Sequence, residues 1–166
     1  MWHEDVISII LAALLGAAIG LERELSGKSA GLRTNILICL GAAVFTIISK
    51  RMVNVSEGSI TRIAAQIVTG VGFLGAGAVI QDRRGVHGLT TAATIWLVAS
   101  IGMGCGAGFH ALAVVSTLLA IIVLVGFSKL AKPLEKYAKK HKTRHSPDDE
   151  DFTDRERRQD EENNSM

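Results

Sequence analysis

Of 166 residues, 48% are hydrophobic and 20% charged, the mean hydropathy is +0.31, and 18 Lys and Arg against 16 acids leave a formal charge of +2. All 17 glycines fall at or before Gly126, while 10 of the cations and 10 of the acids lie from Lys129 onward, so an apolar body precedes a glycine-free charged tail. This partition excludes a two-domain soluble enzyme, a disulfide scaffold and a fully disordered chain, and it points to a small integral membrane protein.

The first apolar run covers 6–21 and includes Gly16 and Gly20. The chain opens Met-Trp-His-Glu-Asp, without the basic start and small-residue cleavage site of a signal peptide, so this helix is expected to be retained. A loop with Arg23, Lys28 and Arg33 leads to the second run, 34–49, with Cys39 inside it. The next loop carries Lys50, Arg51 and Arg62 and is expected along the outer interface. The third run, 63–80, is polar only at Gln66 and Thr69, which demands burial on all sides rather than one amphipathic face. A loop over 81–88 with Asp82, Arg83 and Arg84 precedes the fourth run, 89–103. Gly102, Gly104, Gly106 and Gly108 read as a mixture of helix end and outer turn, with Cys105 in the loop over 104–108. The fifth run spans 109–127. Each run is slightly short of the roughly 20 residues a bilayer core requires, so flanking residues supply the missing turn.

Behind these runs the charge separates into blocks. Residues 1–128 carry +2, 129–144 carry +6 and 145–166 carry −6. The expected organisation is a transmembrane domain over 1–128, a basic juxtamembrane segment over 129–144, and an acidic disordered tail over 145–166 with little to bury. The basic block follows an apolar run directly, which reads as an anchor on an anionic leaflet and not as a nucleic-acid patch. Twelve Lys and Arg flank the spans on one side and three on the other. The positive-inside rule then places the N-terminus outside and the C-terminus in the cytoplasm. The expected fold is all-α: a polytopic membrane protein with five transmembrane helices.

Shifting the chain by 57 positions aligns Gly20 with Gly77, and six of the twelve residues from Gly31 to Ala42 with their counterparts, among them Leu32 with Leu89 and Thr34 with Thr91. This reads as two parallel helical hairpins plus one helix; coincidence in an Ala/Gly/Ile-rich chain is the alternative. Gly70-Val-Gly-Phe-Leu-Gly-Ala-Gly77 formally contains the dinucleotide fingerprint, but that motif works only between a strand and a helix of a βαβ unit, so nucleotide binding is rejected. In lipid, small residues let helix backbones approach closely. Gly16 and Gly20, and Gly70, Gly72, Gly75 and Gly77, are therefore expected to mark the tightest helix contacts.

No Asp, Glu, Lys or Arg lies inside a run, which counts against a pump or proton-coupled carrier. Glu22, Glu24 and Asp82 sit at cytoplasmic helix ends, where the negative helix dipole and the carboxylates together read as a cation site, with Mg2+ as a ligand held partly through its waters. The plainer reading pairs Glu22 and Glu24 with Arg23, Lys28 or Arg33. Thr34, Asn35, Gln66, Thr90, Thr91 and Thr94 are expected to bond between helices, or else to line a polar path. The five histidines have no metal-ligand spacing, Cys39 and Cys105 carry no pairing signal, and no local Ser/His/Asp arrangement supports catalysis. Neither a resident cofactor nor an enzymatic activity is expected.

The blocks Gly16-Ala-Ala-Ile-Gly-Leu-Glu-Arg-Glu24, Lys28-Ser-Ala-Gly-Leu-Arg-Thr34, Gly41-Ala-Ala-Val-Phe45, Arg62 through Gly77, and Gly88-Leu-Thr-Thr-Ala-Ala93 with Trp96 closely resemble the MgtC/SapB membrane-protein family. The resemblance implies a multi-pass bacterial inner-membrane protein linked to growth at low magnesium, to stress adaptation and to virulence. It also implies modulation of other membrane machines, including the rotary ATP synthase and P-type ATPases, over magnesium transport itself. Many members end in a folded cytoplasmic domain of the ACT type, in place of which this chain has its charged tail. The leading expectation is a membrane modulator of ion or energy homeostasis. Its glycine-rich helices would pack on another membrane protein or, as a homodimer, on a second copy, with Glu22-Arg23-Glu24 and Arg33-Thr34 as a recognition edge. The rivals are a small cation transporter and a scaffold that recruits partners through its tail.

Overall fold

The computed structural model describes residues 2–52, 58–82 and 85–142, with side-chain environments defined outside 58–63 and 127–142. The acidic tail over 145–166, the loop over 53–57, and Arg83 and Arg84 lie outside the described residues, as do the side chains of Arg62 and of the basic segment. Among the described residues five helices follow in order: α1 (Trp2–Leu25), α2 (Leu32–Met52), α3 (Gly58–Gly77), α4 (Leu89–Ala107) and α5 (His110–Lys142). Two units divide the chain, Met1–Val125 and Gly126–Met166. In the second, the helical backbone continues to Lys142.

One departure from an all-α fold lies between α3 and α4. There β1 (Ile80–Asp82) and β2 (Gly85–His87) form an antiparallel ribbon that pairs Ile80 with His87 and Gln81 with Val86. The third helix stops at Gly77, and the expected end of its run, Ile80, is an exposed strand residue. The cause is local. Ala78 and Val79 donate to the carbonyls of Gly75 and Ala76 at 3.1 Å each, closing the last turn three residues back. Gly88, at φ +88, then turns the chain into α4 so close to the Ala78 carbonyl that a side chain there would collide with it.

Helix ends elsewhere follow glycine signals. Beyond α1, Gly27 takes φ +65 while Gly27 N–H donates to Glu24 O and Lys28 N–H to Arg23 O, the paired bonds of a Schellman cap. Gly108, at φ +93, ends α4 in the same way, with Gly108 N–H to Cys105 O at 3.0 Å and Phe109 N–H to Gly104 O at 2.8 Å.

The core is built around α2, which packs between α1 and α4. Gly16 and Gly20 form the α1 side: a Cβ on Gly16 would stand 2.8 Å from Cys39 Cβ and 2.9 Å from Asn35 O, and one on Gly20 would stand 2.9 Å from Leu32 Cα. Gly102 and Gly106 form the α4 side, again four residues apart, against the backbones of Cys39 and Ala43. These are two small-xxx-small seams on one helix. Among the described residues the glycines of α3 make no such close contact: a Cβ on Gly70, Gly72 or Gly77 would meet nothing within 4 Å, and Gly75 makes only ordinary contact with Ala92. At these glycines no neighbour comes close enough to touch a side chain, whereas Gly102 and Gly106 stand where the α2 backbone passes.

The same seam corrects the placement of Cys105. It lies in the last turns of α4 and is fully buried, because Gly106 carries the helix past Ala43 before Gly108 ends it. Several polar groups face inward and many large apolar groups outward. Ser8, Arg23, Asn35, Ser49, Thr91, Thr94 and Thr117 are buried, while Leu14, Leu37, Phe73, Leu112 and Ile122 are each more than half exposed. Such a surface suits hydrocarbon and not water. Three helices, α1, α2 and α4, are long and apolar enough to cross a membrane, and shorter apolar stretches cover Ala64–Gly77 and His110–Gly126. The chain is a membrane protein.

Candidate functional site

The last turn of α1 sends three consecutive charged residues in three directions. Glu24 extends to the start of α2, where its Oε2 accepts from Leu32 N–H at 2.9 Å. A carboxylate on the first amide of a helix satisfies an orphan donor and the positive end of the dipole together. Gly31 makes room for it, since any side chain there would overlap the Glu24 carboxylate. Glu22 accepts from Ser26 Oγ at 2.8 Å through Oε1, whereas its Oε2 is buried without a hydrogen-bond partner, 3.9 Å from an Arg23 guanidinium nitrogen.

Arg23 points into the protein. It is 3% exposed, and one terminal nitrogen donates to Thr91 Oγ1 in the first turn of α4 at 3.1 Å, while Nε has no partner. Asn35, fully buried in the first turn of α2, donates through Nδ2 to Ala30 O at 2.7 Å and Gly31 O at 2.8 Å, leaving Oδ1 unpartnered. The ends of α1, α2 and α4 thus hold a fixed guanidinium with one unpartnered donor, together with two unpartnered acceptor atoms.

The residues expected at a site are only partly brought together. Glu22 pairs loosely with Arg23, and Glu24 takes a backbone amide in place of Lys28 or Arg33. Asp82 lies apart on β1, 3.4 Å from His87 Nε2. Among the described residues no three His, Cys, Asp or Glu side chains gather as metal ligands would. Thr91 receives the helix-to-helix bond from Arg23, but Thr94 donates to the Thr90 carbonyl of its own helix. Arg33, Thr34 and Thr90 are exposed, and Gln66 is exposed along a groove of about 530 Å3 that Leu37, Gly41 and Phe45 form with Gly70 and Leu74.

The opposite end of the helices holds contacts that sequence reading missed. Ser8 Oγ and His110 Nε2 are 2.8 Å apart, Arg51 pairs with Asp5, and the Arg51 guanidinium lies 4.2 Å from the centre of the Trp2 ring. Lys50 donates to Ala107 O at 3.4 Å near the C-terminus of α4. The signal for the Asp5–Arg51 pair was the near-equal length of the first two runs, which brings their far ends level once a short loop joins them.

The sequence profile of the MgtC family matches residues 9–133. The chain is 44% identical over 136 residues to a protein of Escherichia coli (strain K12) named "Putative magnesium transporter YhiD", an alignment that covers 78% of this chain and 63% of that one. It is 46% identical over 124 residues to the protein MgtC of Brucella abortus (strain 2308), covering 75% and 51%. It is 47% identical over 116 residues to the protein MgtC of Salmonella typhimurium (strain 14028s / SGSC 2262), covering 70% and 49%. The chain therefore spans between about half and 63% of the length of these relatives. No solved structure matches it.

Proposed function

The chain belongs to the MgtC family, and from that premise we propose that it is a non-enzymatic, multi-pass protein of a bacterial inner membrane that modulates magnesium, ion or energy homeostasis by contacting other membrane proteins. The observation that carries this reading is the open face of α3, where Gly70 and Gly77 meet nothing and Phe73 is 82% exposed. Apolar side chains gain nothing from leaving lipid tails, so a small-residue face is useful chiefly to a helix that approaches closely enough to pack on its backbone. The partner is a membrane protein of the kind the family resemblance implies, the ATP synthase or a P-type ATPase, with a second copy of this chain as the alternative occupant. In this arrangement five helices span the bilayer, the N-terminus is outside, and the exposed Glu24, Arg33 and Thr34 form a cytoplasmic recognition edge, with Arg23 turned inward behind it.

A photo-crosslinking residue at Phe73, compared with one at the likewise exposed Leu14 of α1, tests this reading in cells. A discrete protein adduct from position 73 and none from position 14 is expected; no adduct from 73 in cells that retain the protein's phenotype would sink it. The name of the Escherichia coli relative supports a second reading, a magnesium transporter; its inner mouth would then be Glu22, Glu24 and Asp82.

A further inference from the structure

We propose that the first turn of α4, together with the buried guanidinium of Arg23, forms a binding site for a phosphate group. The two helices that begin at this end differ in one respect. At α2 the Glu24 carboxylate rests on the first backbone amide, Leu32 N–H. Leu89, which stands 57 positions after Leu32, begins α4, but Gly88 there makes no side-chain cap. The residue 57 positions after Glu24 is Gln81, which is neutral and sits on the exposed ribbon. The amide turn of α4 therefore keeps its positive end without the anion its counterpart has.

Arg23 supplies the second, independent observation. It is only 3% exposed, its guanidinium is tied by Thr91 Oγ1 to that same turn, and its Nε finds no acceptor. A buried guanidinium is stable only with charge and hydrogen bonds around it. Glu22, at 3.9 Å and beyond hydrogen-bond reach, answers this need poorly. Backbone amides and a guanidinium converging on one turn make an anion site, and tetrahedral phosphate oxygens match both donor types. Leu89 and Thr90 are exposed, so the start of the turn lies at the surface with Thr91 and Arg23 buried behind it. The phosphate arrives either as a free anion or as a phospholipid headgroup, and either source presents the same oxygens.

Full-length protein in detergent serves both arms of the test. Calorimetric titration with inorganic phosphate reads the free anion; native mass spectrometry with phosphatidylglycerol, set against diacylglycerol of the same chains, reads the headgroup. Saturable binding is expected in at least one arm. Arg23→Gln should weaken it by roughly tenfold or more, the loss of a charge-assisted contact, and Arg23→Lys should retain part of it. Glu22→Gln should tighten it by removing the competing carboxylate. The proposal is overturned by no saturable binding in either arm, by diacylglycerol bound as well as phosphatidylglycerol with no free-phosphate binding, or by Arg23→Gln binding like the parent. Should Arg23→Gln fail to fold, Glu22→Gln decides, and an unchanged affinity there overturns the site.

Discussion

Alanine at Gly102 places a methyl group onto the Cys39 carbonyl, with the Cys39 carbonyl carbon at 2.9 Å and Cα at 3.0 Å. Ordinary carbon contacts begin near about 3.5 Å, so α4 must retreat from α2 by roughly half to one ångström, which forfeits a quarter to a half of the dispersion energy along that seam. Val98, Ala99 and Cys105, all buried on α4, stand to lose contact. Overpacking of this kind costs about 1–3 kcal/mol, partly offset by the better helix propensity of alanine, up to about 1 kcal/mol. At Gly72 the added methyl meets nothing, so only the propensity gain remains. Unfolding by sodium dodecyl sulfate titration in one detergent should rank Gly102→Ala below the parent and Gly72→Ala level with or above it. A Gly102→Ala protein as stable as the parent, or a Gly72→Ala protein as weak as Gly102→Ala, would refute the reasoning.

Asn35→Ala removes two buried hydrogen bonds to the Ala30 and Gly31 carbonyls and should cost about 1–3 kcal/mol, read in the same titration. Asp5→Asn breaks a partly exposed pair with Arg51 and should change stability by less than about 1 kcal/mol. Gly108→Ala forces a methyl-bearing residue into a left-handed turn at φ +93, for a loss of about 1–2 kcal/mol. Maleimide should leave both buried cysteines unlabelled in the folded protein and label both once it is denatured; fast labelling of Cys105 in the folded state would return it to a loop.

The five helices were legible because apolar runs longer than a soluble core helix needs leave few alternatives, and the caps at Gly27 and Gly108 are glycine signals that any sequence displays. What escaped were features that depend on which helix stands beside which. Gly70, Gly72 and Gly77 are small residues like Gly102 and Gly106, but only the last two stand against the α2 backbone. The stretch 102–108 reads as a mixture of helix end and outer turn by composition and is helical to Ala107, its glycines at 102 and 106 serving the close approach of α2. Apolar Val79 and Ile80 disguised the end of α3, where the closing turn is set by backbone bonds and not by side-chain type. At the candidate site, Glu22, Arg23 and Glu24 were legible as a charged edge. The inward turn of Arg23 toward Thr91 was not, because 68 positions separate the two residues.

The central claim is that the chain acts on other membrane proteins and does not itself carry magnesium. Magnesium uptake into liposomes that contain the purified, folded protein tests it most directly, with a fluorescent magnesium indicator trapped inside. Uptake no faster than in protein-free liposomes is expected, with no difference between the parent and Glu22→Gln. Uptake above that background, abolished by Glu22→Gln, would contradict it.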